Sequence, residues 1–295
     1  MNNAHDRNLS QATQIGVRLR FSVPAGACDT HIHFYGPFDR YPLVSSAHIP
    51  VSAATPAEFF RHQQAVGMTR AVVVNAAATG LNNWRTLDAL RESPARLRGV
   101  ITPPPETPSD AELIEWNAIG VRGVRFNYFG KPLPGMALDD ALIQRFSALG
   151  WHAQIQVGDR QILDLAERLA NLSCPVVIDH MARIPALWGV QCEAFQCLLR
   201  LIDKGNVWVK LSAPMRYSSE SGPPYSDVAV MARKLVQHAP DRMLWASDWP
   251  HVNHDGVIPS YDVLLDLLFD WAPEATVRKQ ILVDNPCGLY GFPQP

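Results

Sequence analysis

The stretch DAELIEWNAIGVRGVRFNYF, residues 110–129, decides the fold. Its first half spaces apolar residues three and four apart, as a helix does, and its second half is a short β-branched run. The same alternation continues in both directions. Candidate strands fall at 25–33, 70–76, 97–102, 121–129, 151–157, 174–180, 206–212 and 242–248, with helical patterns such as DRQILDLAERLANL between them. Strand–helix alternation predicts a parallel sheet, and eight repeats of it predict a closed (β/α)8 TIM-like barrel, an α/β fold with its site at the C-terminal strand ends. Residues 25–295 are expected to form this single domain, with the polar stretch 1–24 as an arm over its surface. The 24 prolines cluster in loops, notably ITPPPETPSD and SGPPYSD.

Composition narrows the function. The chain has 295 residues, is 47% apolar, and balances 26 Lys and Arg against 28 Asp and Glu for a net charge of −2. Such a surface favours neither nucleic acid nor membrane partners, and points to a small molecule. No apolar run approaches a membrane span, and the start MNNAHDRNLSQATQ lacks the apolar segment of a signal peptide. The five cysteines, odd in number and without a CxxC pair, are expected to be free thiols in a cytoplasmic protein.

Chemistry is sought at the predicted C-terminal strand ends. Strand one carries Asp29, His31 and His33, which strand alternation puts on one face. Strand four offers Arg125 and Asn127, followed by Lys131; strand five offers Gln154 and Gln156. Strand six ends in Asp179 and His180, with Arg183 beyond; strand seven leads into Ser212 and Arg216. Strand eight ends in Asp248, followed by His251 and Asn253. Each has a bland reading. HxH alone suits a strand edge, Asp248 alone a helix cap, and a rim arginine an ion pair of little energetic value. Alternation turns Asp179 away from His180, so it reads as structural, and His251 and His254 read as loop residues. The conjunction of three histidines, an aspartate and several arginines on one rim is far more specific than any member.

DTHIHFYGP, VRGVRFNYF, VVIDHMAR and WASDWPHVN resemble the amidohydrolase superfamily, and within it the branch of 2-pyrone-4,6-dicarboxylate lactonase and related lactone hydrolases. The resemblance runs from about residue 20 to the end. It implies a distorted barrel that hydrolyses or isomerises a lactone, with His31, His33, His180 and Asp248 as the catalytic set. It places substrate carboxylates on Arg125, Arg216, Lys131 and Asn253, with Arg183 nearby. Two tyrosines of the family are replaced here by His48 and Gln156 and one arginine by Lys131, so the class of substrate is better indicated than the particular ring.

Binuclear members need a bridging Lys or Glu on strand four and a histidine on strand five. Arg125, Asn127, Gln154 and Gln156 stand there instead; His152 lies at the wrong end of its strand and Lys210 is misplaced for a carbamate. A single Zn²⁺ on His31, His33 and Asp248 is the alternative, but the surrounding guanidinium groups and the resemblance favour a metal-independent reaction with no cofactor. In it Asp248 takes a proton from water, and His31, His33 and His180 donate hydrogen bonds to the lactone carbonyl. The competing readings are a sugar-acid lactone hydrolase or isomerase, a mononuclear zinc amidohydrolase or decarboxylase, and an inactive barrel that binds an anion. Oligomeric state is not legible.

Overall fold

The computed structural model describes residues 18–44, 51–104, 106–129 and 138–295. Eight parallel strands pair in chain order: β1 (Cys28–Ile32), β2 (Arg70–Val74), β3 (Leu97–Ile101), β4 (Val121–Asn127), β5 (His152–Gln156), β6 (Val176–Ile178), β7 (Val207–Ser212) and β8 (Met243–Ala246). One helix follows each: α1 (Pro56–Val66), α2 (Trp84–Glu92), α3 (Asp110–Ile119), α4 (Asp140–Ala148), α5 (Gln161–Ala170), α6 (Glu193–Ile202), α7 (Ser226–His238) and α8 (Tyr261–Trp271). This is the (β/α)8 barrel, and the eight expected strands are all present.

The opening stretch shows how the chain writes one such unit. Ser109 caps α3 by accepting from the Glu112 amide, while the Glu112 carboxylate accepts from the Ser109 amide. Gly120 ends the helix at φ 109°, a left-handed conformation open to glycine, and passes the chain into β4. Strand interiors such as Val72, Val73 and Val74 are buried on both faces, between the barrel axis and the helices.

Closure is irregular. Between β8 and β1 the pairing reduces to a bridge of Ile32 with Trp249, supported by His33 N–H donating to Trp249 O at 2.9 Å and Asp248 N–H to His31 O at 3.0 Å. A register shift lies between Asp29 and Ile32 on β1. It breaks the expected alternation, and Asp29 does not join His31 and His33. Its carboxylate accepts from Ser247 Oγ at 2.5 Å, the Ser247 amide at 3.0 Å and Tyr261 Oη of α8 at 3.0 Å, stapling β1 to β8. Burial raises the Asp29 pKa to about 6 against these donors.

Residues 18–24 form no helix or strand; there Arg20 Nε donates to Asp266 at 2.6 Å and Nη2 to Asp270 at 2.8 Å on α8. Among the described residues no helix is long and apolar enough to cross a membrane. All five cysteines are free. At the N-terminal end of the barrel, Gly123 faces the buried His152 ring; a Cβ on Gly123 would lie 2.4 Å from it. The ring is rigid and both its nitrogens lack a partner. Gly123→Ala is therefore expected to lower stability by about 1–3 kcal/mol, read as a shifted denaturant midpoint.

Candidate active site

Strand ends converge as the closed barrel requires. His31 and His33 leave β1 on one face, with ring centroids 4.8 Å apart, and the His31 and His180 rings are likewise 4.8 Å apart. Asp248 follows β8 in a left-handed conformation at φ 66°. Its Oδ1 lies 3.8 Å from His31 Nε2, 3.6 Å from His33 Nε2 and 3.7 Å from His180 Nε2. The three imidazoles and the acid thus surround one point, all of them buried.

His180 reaches that point by an unexpected route. β6 stops at Ile178, and residues 180–183 run in a left-handed turn with φ of 52°, 50°, 58° and 49°. Strand alternation carries Asp179 inward, and the turn then swings His180 into the same cavity. Asp179 is therefore not set apart from the site. Its Oδ2 accepts from Arg125 Nε at 3.0 Å and Gln154 Nε2 at 3.1 Å, and its Oδ1 lies 3.2 Å from His31 Nδ1 and 3.5 Å from Lys210 Nζ. Lys210, set aside on sequence grounds, also lies under His31, with Nζ 3.2 Å from its Nδ1 and 2.7 Å from Gln154 Oε1. Register would have revealed both: Ile178 pairs with Val209 and Arg125 with Gln154, so Asp179 and Lys210 stand side by side near them.

The arginines separate in role. Arg125 is spent on Asp179 and on Gln156 Oε1, 2.6 Å from its Nη2. Arg216 Nε donates to Asp248 Oδ2 at 2.8 Å, Nη2 to Val252 O at 2.9 Å and Nη1 to Asn253 O at 3.2 Å. Arg183 stacks over Phe129 at 3.9 Å and has no acidic partner among the described residues. Asn253 is exposed, and its backbone oxygen is what Arg216 engages. His48 and Lys131 lie outside the described residues. His251 is buried in the loop after β8, its Nδ1 unpartnered. Tyr35, which sequence reasoning missed, is buried with its ring 6.3 Å from His33, in the field of Asp248, Arg125 and Arg216.

The charges follow from these contacts. Burial pushes the Asp248 carboxyl up, but the Arg216 guanidinium and the His180, His33 and His31 rings together outweigh it and hold the acid ionised well below the usual carboxylate range. Asp179 is likewise held low, burial being outweighed by His31, Lys210 and Arg125. Burial lowers His31 well below its ordinary value, with Lys210 adding to it, and lowers His180 to about 3. Both rings are neutral at pH 7. Burial also brings Lys210 to about 8 and, with Arg216 repelling it, Arg183 to about 10.

By donor type the cluster fits a divalent ion. His31, His33 and Asp248 form one group of possible ligands, and His31, Asp179 and His180 another. Imidazole nitrogens with a carboxylate oxygen are a zinc set, and zinc held there would polarise a carbonyl as a Lewis acid.

A closed barrel whose C-terminal rim gathers imidazoles, an ionised aspartate and guanidinium groups is a barrel enzyme of the hydrolytic kind. The chain belongs to the amidohydrolase family, whose model, described as "Amidohydrolase", matches residues 28–292. It is 37% identical over 283 residues to a 2-pyrone-4,6-dicarboxylate hydrolase of Comamonas testosteroni, covering 92% of each chain. It is 36% identical over 278 residues to a 4-sulfomuconolactone hydrolase of Hydrogenophaga intermedia, covering 92% of this chain and 91% of the other. An apo crystal structure of an Agrobacterium tumefaciens protein superposes with a TM-score of 0.80 at 29% identity, over 93% of this chain and 98% of that one.

Proposed function

We propose that this protein hydrolyses a lactone bearing carboxylate or sulfonate groups, of the 2-pyrone-4,6-dicarboxylate or muconolactone kind, without a metal. The observation that carries the reading is the convergence of His31, His33 and His180 Nε2 within 3.8 Å of one oxygen of an ionised Asp248. The names of the relatives supply the substrate class.

In this mechanism Asp248 Oδ1 takes a proton from water as the water oxygen bonds to the lactone carbonyl carbon. The carbonyl oxygen becomes an oxyanion and accepts N–H donors from the imidazoles. Loss of such a donor costs about 3–4 kcal/mol in comparable sites. The donors reduce to two when each ring carries a single hydrogen. His33 Nδ1 donates to Val74 O at 2.8 Å, which leaves its Nε2 a lone pair and no donor for the oxyanion. His180 is a donor if Ser212 Oγ, 2.8 Å from its Nδ1, gives its hydrogen there. When the intermediate collapses, the carbon–oxygen bond of the ring breaks and Asp248 returns its proton to the leaving oxygen.

Arg183 is the first anchor for the substrate's anionic group, being a rim guanidinium with no carboxylate partner among the described residues. Arg125 and Arg216 contribute positive potential from their places on Asp179 and Asp248. Lys131, His48, Gln156 and Asn253 border the same rim in sequence and belong to this proposed substrate shell. Positive charge already supplied by Arg125, Arg183 and Arg216, with Lys210 beneath, disfavours adding a dication. The free thiols accord with a cytoplasmic setting.

The test is a panel of dicarboxylic, sulfonated and sugar lactones followed by acid release. Turnover of a charged lactone, unchanged after dialysis against a chelator, is expected. Acid release from none of them would favour an anion-binding barrel, and activity lost on chelation and restored by zinc would overturn the metal-free mechanism.

A further inference from the structure

Groups of opposite character compete for the inner nitrogen of His31, and the two nearest are a carboxylate and an ammonium. Its Nδ1 lies 3.2 Å from Asp179 Oδ1, which accepts, and 3.2 Å from Lys210 Nζ, which donates. A neutral imidazole carries one hydrogen and one lone pair, so whichever neighbour prevails decides what Nε2 presents to the cavity. A hydrogen on Nδ1 bound to Asp179 leaves Nε2 a lone pair. That is the pattern of a metal-ligating histidine, whose second nitrogen donates to a carboxylate or carbonyl. A hydrogen bond from Lys210 to Nδ1 puts the N–H on Nε2 instead.

The far side of His31 settles the contest. His33 Nδ1 lies 2.8 Å from Val74 O, a carbonyl that can only accept, so a His33 ring with one hydrogen carries it there and its Nε2 is bare. That bare nitrogen is 3.3 Å from His31 Nε2. Two lone pairs at this separation, with the Asp248 carboxylate at 3.6 and 3.8 Å, would repel with no hydrogen among them. A hydrogen on His31 Nε2 converts the contact to a bond. The hydrogens then run in one direction, from Lys210 Nζ to His31 Nδ1, from His31 Nε2 to His33 Nε2, and from His33 Nδ1 to Val74 O.

Lys210 is built for the part. It is wholly buried, and an ammonium has three hydrogens and no acceptor. Its acceptors are Gln154 Oε1 at 2.7 Å, His31 Nδ1 at 3.2 Å and Asp179 Oδ1 at 3.5 Å. Gln154 Nε2, which donates to Asp179 Oδ2 at 3.1 Å, lies farther from the same His31 nitrogen, at 3.5 Å, so Lys210 is the nearer donor.

We infer that Lys210 is a positioning residue that fixes His31 as the Nε2–H tautomer, so that His31 meets the cavity as a hydrogen-bond donor and not as a metal ligand. The use of that N–H in polarising a lactone carbonyl rests on the function proposed above; the tautomer does not.

Two-bond ¹⁵N–¹H correlation spectra of histidine-labelled protein, with the His31 signals assigned from a His31→Gln variant, read the tautomer directly. The native metal-free protein is expected to show the hydrogen on Nε2. In Lys210→Met it is expected to move to Nδ1, facing Asp179. Zinc titrated into the metal-free Lys210→Met protein should bind about 10- to 100-fold more tightly than to the native chain, the range over which outer contacts tune histidine-held metals. A hydrogen on His31 Nδ1 in the native protein would overturn the inference even if Lys210→Met fails to fold. So would a folded Lys210→Met with the native tautomer and native zinc affinity. Native Nε2–H without turnover of any lactone would sink the proposed substrate class alone; lactone turnover with Nδ1–H on His31 would sink this inference alone.

Discussion

Asp248→Asn is expected to lower kcat by about a thousandfold while leaving KM within a few-fold of the native value. General-base proton transfer contributes roughly 10²–10⁴ in rate, and an amide oxygen cannot take a proton from water at neutral pH. The substitution is otherwise mild. Asp248 sits at φ 66°, a conformation in which asparagine is among the favoured non-glycine residues. The amide oxygen can still accept from Arg216 Nε, now 2.8 Å from the carboxylate. Loss of the negative charge also removes repulsion toward an anionic lactone, so binding should hold or tighten. Steady-state kinetics together with calorimetric titration of a product acid separate the two effects. A kcat within tenfold of native would remove Asp248 as the base, and a loss confined to KM would make it a binding group.

Asp179→Asn is expected to act on stability as strongly as Asp248→Asn acts on rate. Asp179 is fully buried and lies between Arg125 Nε at 3.0 Å and Lys210 Nζ at 3.5 Å, both buried as well. Neutralising it leaves two cations without their closest anion. Breaking a buried pair in this way costs about 3–5 kcal/mol, a large share of the roughly 5–15 kcal/mol that holds a folded protein together. Chemical denaturation should show the midpoint falling with little change in slope. A loss below about 1 kcal/mol would mean that the cations are compensated elsewhere, and would return Asp179 to a minor part.

Particular residues show how far linear patterns reach. His31 and His33 were legible because a spacing of two is the period of a strand, and the closed barrel brings both rings to the cavity. His180 and Asp248 were legible through the strand count, which put their segments at the same rim. Asp29 shared the strand-one spacing and was misread, since a register shift after it turns its carboxylate to Ser247 and Tyr261. Asp179 was misread because the left-handed turn at His180 lets consecutive residues face one cavity. Arg125 and Arg216 were legible as rim residues, but not the acidic partners that occupy them.

By itself, the order of residues determined the alternation of eight strands with eight helices, and which segments end at the C-terminal rim, because those signals are periodicities carried within a few residues. The folded barrel alone decided that Asp179 and Lys210 flank one nitrogen of His31, that Arg216 takes Asp248, and that Arg183 has no acidic partner among the described residues. Those pairings depend on strand stagger, on the shift in β1 and on the turn after β6, and packing between segments distant in the chain sets all three.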